Sequence, residues 1–524
     1  MWPPEPRCTL SSPWRMHHRI HRIKHLCLIR RQNMLLRKLM EQTPYYVAHQ
    51  GDIEMDIRSL SASSRQQADG GLFFCVPGAR FDAHDFAEEA VKNGCTALVV
   101  DHFLPLHVPQ VKVSNVRAAM ARMAAAFYGH PANSMRLVGV TGTKGKTTTS
   151  YMIKAIFEQA GFLCGLIGTT GNMIGQQRIP SNYTTPDPIE LHRDLRKMAD
   201  AGVQVVIMEV SAHAIDMHRL DGLVFDVGSY TNFSQDHLDY FHTMQAYFET
   251  KKRFFTSGMV RNATFNADEE TSAQVLKDIT IPAMTYGIAA NADLYARDIE
   301  ITEEGVSFEM QLHRTCQMSL KLHMTGMFNV YNALSAASCA LTLGIPMQDV
   351  VAGLEKITSV PGRIEMLPTQ TPYKVILDYS HSPDALTNIL NTVREFAQGR
   401  IIALFGCGGD RDKGKRPIMG EIGGQLADLC VLTSDNPRSE DPLEILAAIE
   451  SGIRPTGKPY VVIEDRREAI RHAMTIAREG DIVVLCGKGH ETYQEIKGVK
   501  HPFDEKVVVQ ELLMEMQDGE SSPM

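Results

Sequence analysis

Glycine, lysine and threonine recur in one short segment, residues 139–149, which overlaps the end of the apolar run 137–140. Glycines allow backbone N–H groups to converge on phosphate oxygens, and a helix that begins there adds the positive end of its dipole. The lysine of such a loop reaches the β- and γ-phosphates, and the hydroxyl that follows it binds Mg²⁺. We therefore predict a nucleotide phosphate site formed by Gly142, Thr143, Lys144, Gly145, Lys146, Thr147 and Thr148. The alternative is an ordinary glycine-rich turn between a strand and a helix.

Two further positions could bind a metal ion. Glu209 ends the apolar run 205–208, and a carboxylate at a strand end can hold Mg²⁺ directly or through water. His237 lies in the polar stretch 231–240, where it could be a metal ligand or a hydrogen-bonded loop histidine. Its local sequence alone favours the loop histidine.

A polar turn with an arginine follows the apolar run 429–432. The turn, residues 435–438, is consistent with a helix N-terminus that has Pro437 at an early helical position. A cation is disfavoured there by the helix dipole, so Arg438 is the odd element. A bound carboxylate would resolve this, because arginine pairs with it through two parallel hydrogen bonds.

The elements that must position these residues are indicated by apolar runs that alternate with helical patterns from residue 34 onward. This alternation predicts α/β units, whose parallel strands are covered by helices on both faces. At about 150 residues per domain, a chain of 524 residues suggests three to four domains. We predict a basic N-terminal extension (1–33), three domains (34–132, 133–359 and 360–515) and a tail (516–524).

Charge is unevenly distributed along the chain. Residues 1–33 carry a net charge of +6, so the remainder carries −14 of the total of −8. An acidic body argues against nucleic acid as a partner, because binding it needs a basic surface. The extension is Arg-rich and acid-poor like a transit peptide, but it is Ser-poor. We predict that it is disordered or a misassigned start ahead of Met34.

The remaining composition is that of a globular protein. No apolar run approaches the ~18 residues that a membrane-spanning helix needs. The ten cysteines have no metal-ligand spacing, and most are flanked by apolar residues. They are predicted to pack as small hydrophobes in a reducing cytoplasm. We expect small-molecule substrates, no membrane span and a monomer.

From residue 34 to residue 513 the chain resembles the Mur ligases, the ATP-dependent amide-forming enzymes of peptidoglycan synthesis. The resemblance implies a three-domain α/β architecture, with a central phosphate-loop ATPase domain on a parallel sheet and a Rossmann-like C-terminal domain. The glycine spacing TGTxGKT is also found in folylpolyglutamate synthases. The matching segments occur in order and include TGTKGKTTT (141–149), NYTTPD (182–187), MEVSAHA (208–214), NFSQDHLDYF (232–241), GMFNVYNALSAA (326–337), VPGRIE (360–365), TSDNPRSEDP (433–442) and GKGHETYQ (487–494).

The resemblance also implies roles for individual residues. The catalytic residues would be Lys146, Glu209, His237 and Lys251. The Mg²⁺ ligands would be Thr147, Glu209, His237 and a carbamate on Lys251. ATP would also contact Asn329, Asn332, Arg363 and Asp378. The UDP-sugar peptide would contact Ser64, Thr184, Thr185, Ser211 and Arg219, and the amino-acid substrate Arg411, Asp435, Asn436, Pro437, Arg438, Gly487 and Glu491.

Simpler local explanations exist for some of these positions. Lys251 could be a surface lysine in a helix, and Asn329 and Asn332 could serve helix capping. Three positions depart from the family pattern, namely Ser63 (Asp in relatives), Lys144 (Asn) and Met217 (Gln in some).

Within the family, the chain is most similar to the member that adds the third residue of the stem peptide. That similarity implies addition of meso-2,6-diaminopimelate to UDP-N-acetylmuramoyl-L-alanyl-D-glutamate through an acyl phosphate. The distal carboxylate would meet Arg438 and the distal ammonium Glu491, and L-lysine lacks that carboxylate. The alternatives are the same reaction with L-lysine, a folylpolyglutamate synthase, and a catalytically silent scaffold of the same fold.

Overall fold

The structure is a computed structural model that describes residues 33–520 except 79–80, 180, 182, 289–290, 303 and 314–315. The prediction for the N-terminal extension therefore falls almost wholly outside the described residues, as does the end of the predicted tail. The three large sheets lie inside the three predicted domain segments, and the domain boundaries themselves stay predictions.

The first sheet has five strands in the order β2-β7-β6-β5-β4. Neighbours from β4 to β7 run parallel, and β2 closes the edge antiparallel to β7. A separate pair joins β1 to β3. The strands are β1 (Met34–Leu35), β2 (Tyr46–Gln50), β3 (Asp56–Ile57), β4 (Ser59–Ser61), β5 (Gly71–Phe74), β6 (Cys95–Val100) and β7 (Gln110–Val113). The helices are α1 (Leu36–Met40), α2 (Ala87–Lys92) and α3 (Val116–Phe127), with short 3-10 helices at Ala83–Phe86 and Pro131–Ser134.

The central sheet has eleven strands in the order β11-β10-β9-β12-β8-β13-β14-β15-β16-β17-β18. Its strands are β8 (Arg136–Thr141), β9 (Cys164–Ile167), β10 (Asn172–Ile174), β11 (Gln177–Ile179), β12 (Val205–Glu209), β13 (Val227–Tyr230), β14 (Ala263–Asn266), β15 (Ala283–Gly287), β16 (Leu294–Thr302), β17 (Gly305–Leu312) and β18 (Cys316–Leu322). Its helices are α4 (Lys146–Gln159), α5 (Pro188–Asp200), α6 (Ala212–Asp216), α7 (Leu238–Phe241), α8 (Met244–Thr256), α9 (Glu270–Asp278), α10 (Met327–Thr342) and α11 (Met347–Glu355).

The third sheet has six strands in the order β19-β20-β24-β21-β22-β23, all parallel except the edge strand β19. Its strands are β19 (Glu365–Leu367), β20 (Lys374–Asp378), β21 (Ile401–Phe405), β22 (Leu429–Leu432), β23 (Tyr460–Val462) and β24 (Ile482–Cys486), followed by the hairpin β25 (Tyr493–Ile496) and β26 (Val499–Pro502). Its helices are α12 (Pro383–Phe396), α13 (Lys415–Leu426), α14 (Pro442–Ile453), α15 (Arg466–Ile476) and α16 (Glu505–Glu520), with a 3-10 helix at Arg454–Thr456.

The predicted α/β class is confirmed, with one difference in the central sheet. In sheet order, its strands from β9 to β16 run parallel. β9, β12, β13 and β14 are buried throughout, and the apolar runs 137–140 and 205–208 predicted β8 and β12. Both edges are antiparallel, formed by β10 and β11 on one side and by the meander from β16 to β18 on the other. The sheet is therefore mixed rather than wholly parallel.

The parallel strands position the candidate site. In a parallel sheet all carboxyl ends point to one edge, where ligands of open α/β sheets bind. β8 ends at Thr141 beside β12, which ends at Glu209, and β13 lies on the other side of β8. The phosphate loop and Glu209 thus meet at one edge.

Among the described residues, no helix combines the length and the apolar character that crossing a membrane requires.

Candidate active site

The phosphate loop joins β8 to α4 and depends on two glycines. Gly142 has φ +148°, and a Cβ there would lie 2.0 Å from the Thr231 hydroxyl oxygen. Gly145 has φ +82° and precedes the first residue of α4, and a Cβ there would lie 2.5 Å from the Asn332 amide oxygen. Backbone conformation and space both require glycine at these positions. The loop therefore presents its backbone to a ligand at the N-terminus of α4.

Two lysines converge on one carbonyl of this loop. Lys146 Nζ donates to the Gly142 carbonyl oxygen at 2.8 Å, and Lys251 Nζ donates to the same oxygen at 2.7 Å. Burial lowers the pKa of Lys146, against the opposing effect of Glu209. Burial and the neighbouring Lys146 ammonium lower the pKa of Lys251 well below its ordinary value. The alternative of a surface lysine is wrong for Lys251, because its residue is only 1% exposed.

Glu209 is the buried carboxylate of the loop region. Its Oε2 accepts hydrogen bonds from the Thr147 hydroxyl at 2.9 Å and the Thr169 hydroxyl at 3.0 Å. Its Oε1 accepts from the Thr169 backbone N–H at 2.9 Å. Thr169 was not predicted. It follows β9 in a stretch without a chemical motif, and it reaches Glu209 because β9 pairs with β12.

His237 stands at the N-terminus of α7 with φ +54°, an uncommon backbone conformation for a non-glycine residue. Its ring lies edge-on to that of His213, with ring centroids 4.8 Å apart. Partial burial lowers the pKa of His237, and the nearby His213 and Lys146 act in the same direction. The ring is therefore neutral near pH 7 and keeps a lone pair for a cation.

The two asparagines of α10 are buried and hydrogen-bonded to one another. Asn332 Nδ2 donates to Asn329 Oδ1 at 3.1 Å, and Asn329 Nδ2 donates to the Thr325 carbonyl oxygen at 2.8 Å. Asn332 Oδ1 accepts from Thr149 at 3.3 Å. The asparagines thus link the start of α10 to the helix that begins at the phosphate loop.

The third domain reaches the phosphate loop through Arg363. Its Nη2 lies 3.3 Å from the Thr147 hydroxyl oxygen, and its guanidinium lies over the Tyr379 ring at 5.1 Å. Asp378 accepts from the backbone N–H of Ile364 at 2.9 Å and so fixes the turn that carries Arg363. A second link between the domains pairs Lys144 with Asp384 at 3.8 Å.

A second group lies at the carboxyl end of β12. The Thr185 hydroxyl donates to the Glu209 carbonyl oxygen at 2.8 Å and lies 3.2 Å from the Ser211 hydroxyl. Arg219 donates to the Thr185 carbonyl oxygen at 2.7 Å and pairs with Asp187 at 2.9 Å. The Thr184 hydroxyl lies 3.0 Å from that of Thr169, which connects this group to Glu209.

Ser64 is not brought into contact with that group. Its hydroxyl donates to Glu89 at 2.6 Å, and its carbonyl oxygen accepts from Asn93 at 2.7 Å, so its described hydrogen bonds stay in the first domain.

A buried lysine that was not predicted organises the third-domain group. Lys488 is 0% exposed and donates to the Asn436 side-chain oxygen at 3.0 Å. Its Nζ lies 3.5 Å from a carboxylate oxygen of Asp435 and 3.5 Å from one of Glu491. Asn436 Nδ2 in turn donates to Glu491 at 2.9 Å.

Burial and charge act in opposite directions on the Asp435 carboxyl. Burial alone raises its pKa, but Lys488 and Arg466 outweigh that effect and hold the pKa below its usual value. Gly487 has φ +114° and packs against the same carboxylate, where a Cβ would lie 3.5 Å from an Asp435 oxygen. Lys488 lies within GKGHE (487–491), directly after an apolar run, and a lysine there needs carboxylate partners if it is buried. That signal could have predicted its role.

Arg438 is held differently from the prediction. Helix α14 begins at Pro442 with Asp441 as its N-cap, so the interpretation of residues 435–438 as a helix start is wrong. Arg438 has φ +52°, and its backbone N–H donates to the Glu495 carbonyl oxygen at 3.0 Å. Its guanidinium donates to the Gly409 carbonyl oxygen at 2.7 Å and lies 3.5 Å from the Glu495 carboxylate.

Two predicted contacts to the amino acid remain, Pro437 and Arg411. The Pro437 carbonyl oxygen packs so closely on Gly409 that a Cβ on Gly409 would lie 1.9 Å from this oxygen. Arg411 lies in the same loop, after β21, and its side chain is exposed. Arg411 makes no ion pair or hydrogen bond within the part of the chain that the structure describes.

Comparisons with known proteins give matches over most of the chain. Family models match at residues 56–128 (Mur ligase family, catalytic domain), 140–340 (Mur ligase middle domain) and 362–489 (Mur ligase, glutamate ligase domain). The UDP-N-acetylmuramoyl-L-alanyl-D-glutamate–2,6-diaminopimelate ligase of Caldanaerobacter subterraneus subsp. tengcongensis is 44% identical over 469 residues, covering 89% of this chain and 96% of that protein. The enzyme of the same name from Halalkalibacterium halodurans is 43% identical over 477 residues, covering 90% and 97%.

Solved structures give the same result. A structure of a UDP-N-acetylmuramoyl-L-alanyl-D-glutamate–2,6-diaminopimelate ligase has a TM-score of 0.66 and 32% identity, covering 93% of this chain and 99% of that one. Mycobacterium tuberculosis folylpolyglutamate synthase, with a TM-score of 0.60 and 17% identity over 78% of this chain and 96% of its own, shares the fold alone. The chain belongs to the Mur ligase family. It is an ATP-dependent ligase that forms amide bonds.

Proposed function

We propose that this ligase joins meso-2,6-diaminopimelate to UDP-N-acetylmuramoyl-L-alanyl-D-glutamate in peptidoglycan synthesis. A chain of contacts between the nucleotide loop and the third-domain group supports the proposal. Thr147 contacts Arg363, Arg363 lies over the Tyr379 ring, and that ring lies 4.9 Å from the ring of His490, next to Glu491. An amino acid held at Glu491 therefore lies on the side of the third domain that faces the phosphates.

The phosphoryl transfer is carried by the loop. The substrate carboxylate attacks the γ-phosphate of ATP and displaces ADP, which gives an acyl phosphate. The amino group of diaminopimelate then attacks the acyl carbon, inorganic phosphate leaves, and the nitrogen loses a proton to give the amide. Lys146, the loop N–H groups and Arg363 stabilise the charge of the transferring group. Asn329 and Asn332, which lie against the loop, are the candidates for contacts to the nucleotide base.

The residues beside the loop fit a magnesium ion. Mg²⁺ prefers oxygen ligands, carboxylates above all. Glu209 offers a buried carboxylate and Thr147 a hydroxyl, which a 2.9 Å hydrogen bond now holds side by side. His237 and a carbamate on Lys251 would complete the set. When bound, the ion neutralises phosphate charge.

The UDP-sugar dipeptide is assigned to the group at the carboxyl end of β12. Thr184, Thr185 and Ser211 offer hydroxyls, and Arg219 offers a guanidinium that now pairs with Asp187. Arg219 would exchange that partner for an anionic group of the substrate. Ser64 stays a weaker candidate for the uridine, because Glu89 holds its hydroxyl.

The distal end of diaminopimelate carries one positive and one negative charge. Glu491 would bind its ammonium and Arg438 its carboxylate in a bidentate pair. Gly409 and Glu495 already fix the guanidinium, so it is held in place before the ligand arrives. Arg411, which is exposed in the adjoining loop, could add a second cation. L-Lysine has no distal carboxylate, so Arg438 would keep only Gly409 and Glu495 as partners and the binding free energy of the bidentate pair would be missing.

Phosphate release tests this function. Release should require ATP, the UDP-muramoyl-dipeptide and meso-diaminopimelate together, measured as inorganic phosphate against time. Omission of either acceptor substrate should reduce the rate to background. Equal or faster release with L-lysine would contradict the assigned amino acid, and no release with any diamino acid would favour a catalytically silent scaffold.

Arg438→Ala tests the specificity assignment. We expect the KM for diaminopimelate to rise on the order of 100-fold with little change in kcat, because a partly buried charge-assisted pair is lost. Arg438→Lys keeps the charge but cannot form two parallel hydrogen bonds, so its KM for diaminopimelate should lie between those of the wild type and Arg438→Ala. Unchanged preference for diaminopimelate over L-lysine in Arg438→Ala would show that another residue reads the carboxylate.

The proposal also covers the cellular compartment and the oligomeric state. The eight cysteines among the described residues are free, and burial raises the pKa of Cys430 to about 12, as a reducing cytoplasm would allow. We also propose that the enzyme acts as a monomer, because the contacts that link its sites are made within one chain.

A further inference from the structure

A cluster of metal-ligating side chains lies in the first domain, outside the ligase site. β6 ends at Val100 and is followed by Asp101 and His102, while His84 lies in the 3-10 helix Ala83–Phe86. His84 Nε2 lies 3.2 Å from Asp101 Oδ1, and His102 Nδ1 lies 2.5 Å from the same oxygen. The two imidazole rings are stacked, with centroids 4.5 Å apart. One ligand atom from each residue lies within 4.8 Å of the others.

The hydrogen bonds of His84 indicate which of its nitrogens is free. Nδ1 lies 2.6 Å from Asp82 Oδ1, so it carries the proton and donates to that carboxylate. Nε2 accepts from the Asp101 backbone N–H at 3.3 Å, so it is the unprotonated nitrogen. Nε2 also lies 3.2 Å from Asp101 Oδ1, the carboxylate oxygen that His102 Nδ1 contacts at 2.5 Å.

This arrangement is the one that metal-binding histidines adopt. A ligating histidine commonly donates its other ring N–H to a carboxylate, which fixes the tautomer and the orientation of the ring. Asp82 occupies that orienting position, and the His84 side chain is only 3% exposed. A cation bound by Nε2 and Asp101 Oδ1 would therefore meet an imidazole whose orientation the hydrogen bond to Asp82 already fixes.

We propose that His84, Asp101 and His102 form a binding site for a divalent transition metal, with Zn²⁺ the best match. Two imidazole nitrogens and one carboxylate oxygen suit Zn²⁺, whereas Mg²⁺ prefers oxygen ligands only. Zn²⁺ distances of about 2.0–2.2 Å place tetrahedral ligand atoms roughly 3.3 Å apart. In the cluster two of the distances are 3.2 Å and 2.5 Å and every pair of ligand atoms lies within 4.8 Å, so a rotation of the exposed His102 side chain would bring the three atoms to that spacing. His102 and Asp101 are partly exposed, which leaves a path of entry and a fourth position for water.

The expected consequence is structural. A metal here would tie the end of β6 to the 3-10 helix that precedes α2, and ligands that bind only the folded state stabilise it. The residues are distinct from those assigned to nucleotide, Mg²⁺ and amino acid. The inference therefore does not depend on the proposed ligase function.

The test is a Zn²⁺ titration of the full chain, after chelator treatment and in saturating Mg²⁺. Calorimetry measures the Zn²⁺ bound, and thermal unfolding measures the change in Tm. His102→Ala should lose one equivalent of bound Zn²⁺ and the Zn²⁺-dependent rise in Tm. His107→Ala, an exposed histidine five residues further on, should keep both. The four histidines of residues 1–32 are common to all variants and cancel in the difference.

Two more measurements sharpen the result. Co²⁺ in place of Zn²⁺ should give the intense visible absorption of a four-coordinate ion in the wild-type chain and not in His102→Ala. Asp82→Asn keeps all three ligands and should weaken Zn²⁺ binding about 10–100-fold. If wild type and His102→Ala bind equal amounts of Zn²⁺ with equal Tm shifts, binding is adventitious and the proposal is overturned.

Discussion

Lys146→Ala is expected to lower kcat by on the order of 10³-fold or more, while the protein stays folded. The Lys146 ammonium is placed by the Gly142 and Thr143 carbonyl oxygens at 2.8 Å each, at the N-terminus of α4. In the proposed mechanism it is the loop cation that reaches the transferring phosphoryl group. The fold should tolerate its loss, because Lys251 continues to donate to the Gly142 carbonyl oxygen.

The measurement is phosphate release at saturating substrates, with thermal unfolding as a check of folding. Lys154→Ala is the matched control, since Lys154 lies two turns further along α4 and pairs with Glu158 at 2.8 Å. That variant should keep near-wild-type kcat. More than a tenth of the wild-type kcat in Lys146→Ala would show that the loop lysine does not stabilise the transition state.

The sequence could predict those parts of the site that are formed by neighbouring residues. The phosphate loop is encoded by neighbouring residues, so its composition sufficed to place it between β8 and α4. Long apolar runs predicted the buried parallel strands for the same reason. Lys251 could have been predicted as buried too, because Tyr247, Lys251 and Phe254 share one face of α8 at helical spacing.

Contacts made through strand order could not be predicted. Thr169 meets Glu209 only because β9 lies beside β12 with Ile167 opposite Met208, and nothing near Thr169 signals that register. The antiparallel edges of the central sheet are a similar case. β10 and β11 have three residues each, and the longer strands β17 and β18 alternate polar and apolar residues, so no continuous apolar run marks them as part of this sheet.

The turn at Arg438 shows tertiary structure overriding a local signal. Pro437 and Pro442 both suit the first turn of a helix, and only Pro442 begins one. Residues 438–440 are instead held by the hairpin of β25 and β26 and by the loop after β21. Arg438 donates to the Glu495 carbonyl oxygen, and Lys497 donates back to the Arg438 carbonyl oxygen at 2.6 Å. The strained backbone at Arg438 is thus fixed by residues about 60 positions away.

Lys251→Ala is expected to reduce kcat by on the order of 10²–10³-fold, because the side chain would supply oxygens to Mg²⁺ as a carbamate. In the described part of the chain, no carboxylate lies within ion-pair distance of its Nζ. The group contacts the Gly142 carbonyl oxygen and lies over the Tyr247 ring at 4.7 Å. An ammonium there would repel both Mg²⁺ and Lys146.

The lowered pKa favours the modification. A neutral amine attacks CO₂ and loses a proton, which gives a carbamate with one negative charge. Burial and Lys146 lower the pKa of Lys251, so its neutral form is populated at a lower pH than that of an exposed lysine. Carbamate formation, and with it activity, should therefore increase as pH rises through that lowered pKa and fall on its acid side.

Depletion of CO₂ separates the carbamate from a purely structural lysine. Wild-type enzyme in CO₂-free buffer should lose activity slowly and regain it with bicarbonate, and its intact mass should change by one CO₂. Lys251→Ala should not respond to bicarbonate, but a short-chain carboxylate should partly restore its kcat. Lys252→Ala, which removes only the pairs with Glu249 and Asp278, should behave as wild type. Activity independent of bicarbonate, without rescue by carboxylate, would mean that Lys251 acts as an amine, and the metal would then depend on Thr147 and Glu209 for its protein oxygens.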